Sequence, residues 1–288
     1  VREFRRLLLD ILWKELSLPF FQAILLGIVQ GLTEFLPISS SGHLVLAKSI
    51  LGFHEDGIAF EIFVHFGTLL AVVTLYKKDL LEIMATILPF GEGQSEGKVR
   101  EHANGARLLR FLVIATIPAG ILGLLLRTFF ESAFSSATFV SGALIFTGLV
   151  LLISRKVPDT PCPLDNFKSL VIGLAQVVAF FPGVSRSGTT ITAALVLGIE
   201  REEAARFSFL LTVPLISGVV LIKSIEMFEH PPGSDELWYF GVGCLAAYIS
   251  GLWAIKWIVG VVQQGRFDRF AYYCFAVGAI GLIFNILK

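Results

Sequence analysis

Two short stretches bring together side chains able to hold an anion and move a proton. The first is QGLTEFLPISSSGH, residues 30–43, with an amide (Gln30), a carboxylate (Glu34), hydroxyls (Ser39, Ser40, Ser41) and an imidazole (His43). Gln30 and Glu34 are four apart and share one helix face. Pro37 fits a helix interior poorly and biases Leu36 toward extended backbone, so the helix is expected to end there. The serines then lie in a turn, Gly42 permits a tight bend, and His43 opens the next helical piece. The second stretch is FPGVSRSGTT, residues 181–190. Pro182 and Gly183 interrupt its helix, and Ser185, Arg186, Ser187, Thr189 and Thr190 surround the bend. A guanidinium inside an apolar run is expensive and marks a functional position. It can grip phosphate through two parallel hydrogen bonds. Backbone N–H groups at the start of the following helix favour an anion as well. These residues together fit a phosphate pocket.

Plainer roles are open to the same groups. Arg186 can serve only as counter-ion to Glu34, and His43 can cap a helix. Each serine can bond nearby backbone. Glu61 and His65, four apart in an apolar span, can be structural, and Lys48 can snorkel to the surface. His54, His102 and His230 fall in polar stretches and carry no expected role.

The elements that must position these groups are membrane helices. Only 16% of the 288 residues are charged, against about 25% in a soluble protein, and mean hydropathy is +0.78. Several apolar runs reach the ~20 residues that cross a bilayer as helix. An all-α polytopic membrane protein is expected. Net charge is zero, which gives no indication of nucleic acid. Cys162, Cys244 and Cys274 are scattered and suggest neither disulfides nor a zinc site.

Residues 1–17 alternate basic and apolar groups and read as an interfacial amphipathic helix, without a signal-type cleavage site. Spans are expected at about 58–76, 108–126, 134–154, 207–222, 237–258 and 270–287, with residues 77–107 a polar connection holding a short helix. A shift of 146 lays Gly27, Gln30, Phe35, Ser39, Ser41 and Gly42 over Gly173, Gln176, Phe181, Ser185, Ser187 and Gly188. At 147, FEIFVHFGTLLAV from Phe60 lies over FSFLLTVPLISGV from Phe207. The chain thus reads as a single membrane domain, 1–288, with repeat 1 at about 18–154 and repeat 2 at about 168–288. Each half has one re-entrant broken-helix hairpin plus three transmembrane helices. Three crossings are odd, so the halves form an inverted repeat. Broken backbone is tolerated at that depth only inside protein or beside water, so the two bends are expected to line one pocket. Lys77, Lys78, Lys98, Arg100, Arg107, Arg110, Arg155, Lys156, Lys168, Arg201, Arg206, Arg266 and Arg269 fall on one side, expected to be cytoplasmic. Arg2, Arg5, Arg6 and Lys14 disagree with that assignment.

QGLTEFLPISSSGH and PGVSRSGTT resemble the two signature motifs of the undecaprenyl-diphosphate phosphatases, the bacitracin-resistance type of bacterial membrane phosphatase. FSFLLTVP, residues 207–214, is similar to the family's following helix, and the likeness runs over nearly the whole chain. The resemblance implies hydrolysis of undecaprenyl diphosphate to undecaprenyl phosphate and inorganic phosphate, which recycles the lipid carrier of peptidoglycan synthesis. Bacitracin enters only indirectly, because it sequesters that substrate. The resemblance also implies six spans plus two re-entrant pairs, a multi-pass protein of the bacterial plasma (inner) membrane, and a pocket open to the outer side. It implies catalytic roles for Glu34, Ser40, His43 and Arg186, and a divalent cation, Mg2+ or Ca2+. Many members have glutamate where this chain has Gln30. An amide keeps an acceptor but loses charge, so Glu34 with the diphosphate is left to hold a metal. A homodimer stays open.

The expected chemistry places Gln30, Ser39, Ser41, Ser185, Ser187 and Thr189 around the bound diphosphate with Arg186. Ser40, His43 or an activated water attacks the terminal phosphorus, and Glu34 and His43 handle protons. The alternative is a transporter or flippase for undecaprenyl phosphate or another anion, since inverted repeats with broken helices suit carriers. A phosphatidate-type phosphatase is excluded, because the histidine it needs six residues after Arg186 is Thr192.

Overall fold

The computed structural model describes residues 2–53, 59–87, 96–134, 136–158, 160–229 and 233–286. His54 and His230 lie outside the described residues. Among the described residues the chain is all-helical. α1 (Arg2–Phe35) and α2 (Ser40–Leu51) flank the first bend, and α3 (Ala59–Leu75) and α4 (Lys77–Ile87) follow. Next come α5 (Glu96–Leu125), α6 (Arg127–Phe134) and α7 (Ala137–Ile153). α8 (Asn166–Val178) and α9 (Arg186–Val196) flank the second bend, and α10 (Arg201–Glu229), α11 (Ser234–Gln263) and α12 (Phe270–Ile286) complete the chain.

Among the described residues four helices are long and apolar enough to cross a membrane: Val99–Leu125, Arg201–Ile225, Glu236–Gln263 and Phe267–Ile286. A fifth span results if α3 and α4, bent by 82°, count as one. Six were expected. α3 and α7 have 17 residues each, about 26 Å at 1.5 Å per residue, short of a ~30 Å hydrocarbon core. The expected polar connection at 77–107 is mostly helix, and His102 sits in α5 rather than a loop. Tertiary packing explains this: a Cβ on Gly105 would lie 2.2 Å from the Glu82 carbonyl oxygen, so α4 and α5 touch backbone to backbone. α1 also runs unbroken through Pro19 into the first bend, so residues 2–17 and the following arm form one helix.

A set of polar side chains is buried within the apolar core, and the surface is apolar as well. Gln30, Ser39, Thr68, Thr147, Gln176, Ser185, Ser187, Thr190, Ser208 and Thr212 are buried, while Ile121, Leu124, Leu221, Ile249, Trp253 and Ile283 face outward. In water such a surface would aggregate; facing lipid, it is the solvent-exposed side. Partners alternate along the chain: α1 packs on α11, α8 on α5, α3 on α10 and α11, and α7 on α12. Two glycines make the first two contacts possible. A Cβ on Gly27 would lie 2.3 Å from the Gly243 carbonyl oxygen, and one on Gly173 would lie 2.3 Å from that of Ala115.

Candidate active site

The first bend starts where Pro37 was expected to stop the helix. α1 ends at Phe35, and the Ile38 N–H donates to the Leu36 carbonyl at 2.8 Å. The reversal falls on Ser39, at φ +70°, and not on Gly42, which lies in the first turn of α2. A side chain in that left-handed region costs about 1–2 kcal/mol, so neighbours must hold it. His43 does: its Nδ1 lies 2.8 Å from the Ser39 carbonyl oxygen. A carbonyl only accepts, so Nδ1 carries the proton and Nε2 is an acceptor. Nε2 receives the Tyr273 hydroxyl of α12 at 2.6 Å.

The second bend turns on Gly183, at φ +93°, where a Cβ would also meet the Val140 carbonyl oxygen at 2.5 Å. Thr147 of α7 brackets it, donating to the Gly183 carbonyl at 2.9 Å and accepting from the Ser185 N–H at 3.1 Å. Ser185 then caps α9, its hydroxyl accepting from the Gly188 N–H at 3.1 Å.

The two bends meet, as expected from the sequence. Arg186 Nη2 donates to Glu34 Oε1 at 2.6 Å, and Nη1 donates to the Thr212 hydroxyl. Glu34 Oε2 accepts from the Ser40 hydroxyl at 2.6 Å and from Gln30 Nε2 at 2.9 Å. The Ser187 hydroxyl donates across to the Leu36 carbonyl at 3.2 Å. One nearly buried carboxylate thus gathers an arginine, a serine and an amide, while His43 bonds the Ser39 carbonyl and the Tyr273 hydroxyl. Ser41 lies 3.3 Å from Ser39, hydroxyl to hydroxyl. The Thr189 hydroxyl bonds the Ser185 and Arg186 carbonyls of its own helix. Ser185, Ser187 and Thr189 therefore have scaffold partners, and Ser40, Glu34 and Arg186 form one hydrogen-bonded group.

A family model described as bacitracin resistance protein BacA matches residues 23–280. The chain belongs to the bacitracin resistance protein BacA family. Proteins named undecaprenyl-diphosphatase are similar over nearly their whole length. That of Salinibacter ruber is 41% identical over 266 residues, covering 91% of this chain and 98% of the relative. That of Methanobrevibacter smithii is 42% identical (90% and 95% covered), and that of Korarchaeum cryptofilum 43% (89% and 96%). Both bends fall inside the BacA match.

Three neighbours of this BacA-family site escaped the sequence reading. Thr212 was hidden in an apolar span, although the shift of 147 lays it under His65. Tyr273 and Thr147 sit on helices remote in sequence and carry no local signal. Lys48, expected to snorkel, instead donates to Glu61 Oε1 at 3.1 Å, and Lys223 of α10 reaches Glu61 Oε2 at 3.3 Å. His65 Nδ1 lies 2.7 Å from the Glu61 carbonyl oxygen. Among the described residues no three of His, Cys, Asp and Glu cluster as metal ligands. The Gln30 Oε1 is buried without a hydrogen-bond partner beside Glu34. An oxygen-preferring cation would fit these two residues only with phosphate and water completing its shell.

Proposed function

We propose that the chain is a membrane phosphatase that hydrolyses undecaprenyl diphosphate to undecaprenyl phosphate and inorganic phosphate. The observation that carries this is the Ser40–Glu34–Arg186 group, assembled from both bends in a buried polar interior. Of the candidate nucleophiles, the Ser40 hydroxyl alone donates to the carboxylate, and both His43 nitrogens are otherwise engaged. Ser40 Oγ attacks the terminal phosphorus, and its proton passes to Glu34 Oε2. The bond from that phosphorus to the bridging oxygen breaks, and the lipid monophosphate leaves. Water then cleaves the phosphoserine, releasing inorganic phosphate and restoring the hydroxyl. Arg186 turns from Glu34 to the phosphate oxygens as charge builds there. His43 holds Ser39, the strained residue just before the nucleophile, and acts through that position. Mg2+ or Ca2+, held by Glu34 and Gln30 Oε1, would neutralise phosphate charge when bound.

The two bends are proposed to be re-entrant hairpins of an inverted repeat, with α3, α5 and α7 answering α10, α11 and α12 as six spans. The exchanged packing supports this. α1 rests on α11 through Gly27, and α8 rests on α5 through Gly173, its partner under the shift of 146. Likewise Tyr273 of α12 serves the first bend and Thr147 of α7 the second. In this reading the protein lies in the bacterial plasma membrane with its pocket to the outer side. It recycles the peptidoglycan lipid carrier and confers bacitracin resistance by consuming that antibiotic's target.

The test is phosphate release from undecaprenyl diphosphate by purified protein in detergent, with and without Mg2+, Ca2+ or chelator. Ser40→Ala should lose roughly 100-fold or more in turnover. Near-normal turnover in that variant would rule out serine attack and leave water. No release by folded wild type under any cation would favour an anion carrier.

A further inference from the structure

Beside the first bend lies a cavity of about 340 Å3, lined by Ser41, Leu44, Val45, Glu61, Ile62, His65, Val219, Val220 and Lys223. Its polar lining comes from three elements: Ser41 from α2, Glu61 and His65 from α3, and Lys223 from α10. Ser41, in the first turn of α2 and the chain neighbour of Ser40, ties the cavity to the first bend. Charged groups on membrane helices are costly and are retained for function. The wiring of Glu61 suggests which function. Lys48 holds Oε1 and Lys223 holds Oε2. Lys48 keeps Glu61 paired even if Lys223 turns away, so Lys223 can exchange Glu61 for an anion without stranding a half-buried carboxylate. Ser41 supplies a further hydroxyl donor. The apolar Val45, Val219 and Val220 suit a hydrocarbon stem.

We propose that this cavity seats the phosphate that stays on the lipid, with Lys223 as its cationic partner. This rests on the phosphatase reading above and extends it. A diphosphate has two phosphorus centres, and Arg186 can serve the terminal one while Lys223 serves the inner one. After cleavage the lipid monophosphate remains in the Lys223 cavity, while inorganic phosphate departs from Arg186.

The test is direct binding of a polyprenyl monophosphate to the purified full-length protein in detergent, alongside inhibition of turnover by inorganic phosphate. Lys223→Met should weaken monophosphate binding by about tenfold or more, the loss of one charge-assisted contact, and should leave inhibition by inorganic phosphate unchanged. Lys223→Arg should restore binding. Glu61→Gln should tighten it, because Lys223 is then released; a purely structural ion pair would give no change or a loss. Unchanged monophosphate binding in Lys223→Met would overturn the proposal. So would equal weakening of both ligands, or weaker binding in Glu61→Gln. Failure of the wild type to release phosphate would instead sink the phosphatase reading, and the binding arms would still judge the cavity.

Discussion

Replacing Arg186 with lysine separates charge from geometry. The guanidinium holds Glu34 Oε1 at 2.6 Å with one nitrogen and the Thr212 hydroxyl with the other, and its side chain is 12% exposed. Lysine keeps the positive charge but offers one nitrogen, so it can hold Glu34 or Thr212 and not both. Glu34, 9% exposed, is not left unpaired. The fold should therefore survive, whereas Arg186→Ala would strand a buried carboxylate at about 3–5 kcal/mol. During phosphoryl transfer the missing second donor should cost about 3–4 kcal/mol, or roughly 100- to 1,000-fold in turnover. The assay is initial-rate phosphate release in detergent, with the unfolding midpoint followed by tryptophan fluorescence. Thr212→Val in the Arg186→Lys background should add little, because both changes remove the same two-point grip. Turnover within about threefold of wild type, in Arg186→Lys protein of matching stability, would refute the grip.

Other perturbations reach the supporting structure. Tyr273→Phe removes the hydroxyl that orients His43 Nε2. It should lower kcat up to about tenfold with little change in KM, and unaltered kcat would dismiss Tyr273 as a positioning residue. Gly173→Ala should destabilise the fold by about 1–3 kcal/mol through overpacking, read as a lower unfolding midpoint, since its Cβ would sit 2.3 Å from the Ala115 carbonyl oxygen. Gly241→Ala, with nothing within 4 Å, is the control and should be neutral or stabilising. Cys162 is exposed after α7. An impermeant maleimide should label it in inside-out vesicles and not in intact cells; the reverse result would invert the proposed orientation.

The two bends were legible because proline and glycine act locally. Pro37 ends α1 within two residues, and Gly183 turns the backbone as expected. The meeting of Glu34 with Arg186, 152 residues apart, was legible because an isolated charge in an apolar run demands a partner. The position of the first reversal was not. Left-handed backbone favours glycine, so Gly42 drew the expectation, while Ser39 adopts it because His43 and the chain around it hold it there. The structural partners of the serines were not legible either: Ser185 accepts from the Gly188 N–H and Ser187 donates to the Leu36 carbonyl, contacts set by capping and by the other bend. The helical start of α5 was hidden as well. Its charged residues resemble a loop until packing against α4 gives them a helix to extend.

The proposed repeat also explains why the site is asymmetric. The shift that matches the glycines lays Ser40 over Arg186 and Glu34 over Phe180. Ser40 is the first residue of α2 and Arg186 the first of α9, so in the proposed repeat one backbone position carries the proposed nucleophile in one half and the cation in the other. Helix starts at both places direct side chains toward the shared interior. Two serines would leave the phosphate charge unmatched, and two arginines would leave nothing to attack phosphorus. Gly27 and Gly173 remain alike because close helix contact tolerates no Cβ at either place. In the proposed repeat the pairs Ser40/Arg186 and Glu34/Phe180 differ between the halves while the packing glycines do not, as one shared pocket built from two unlike bends requires.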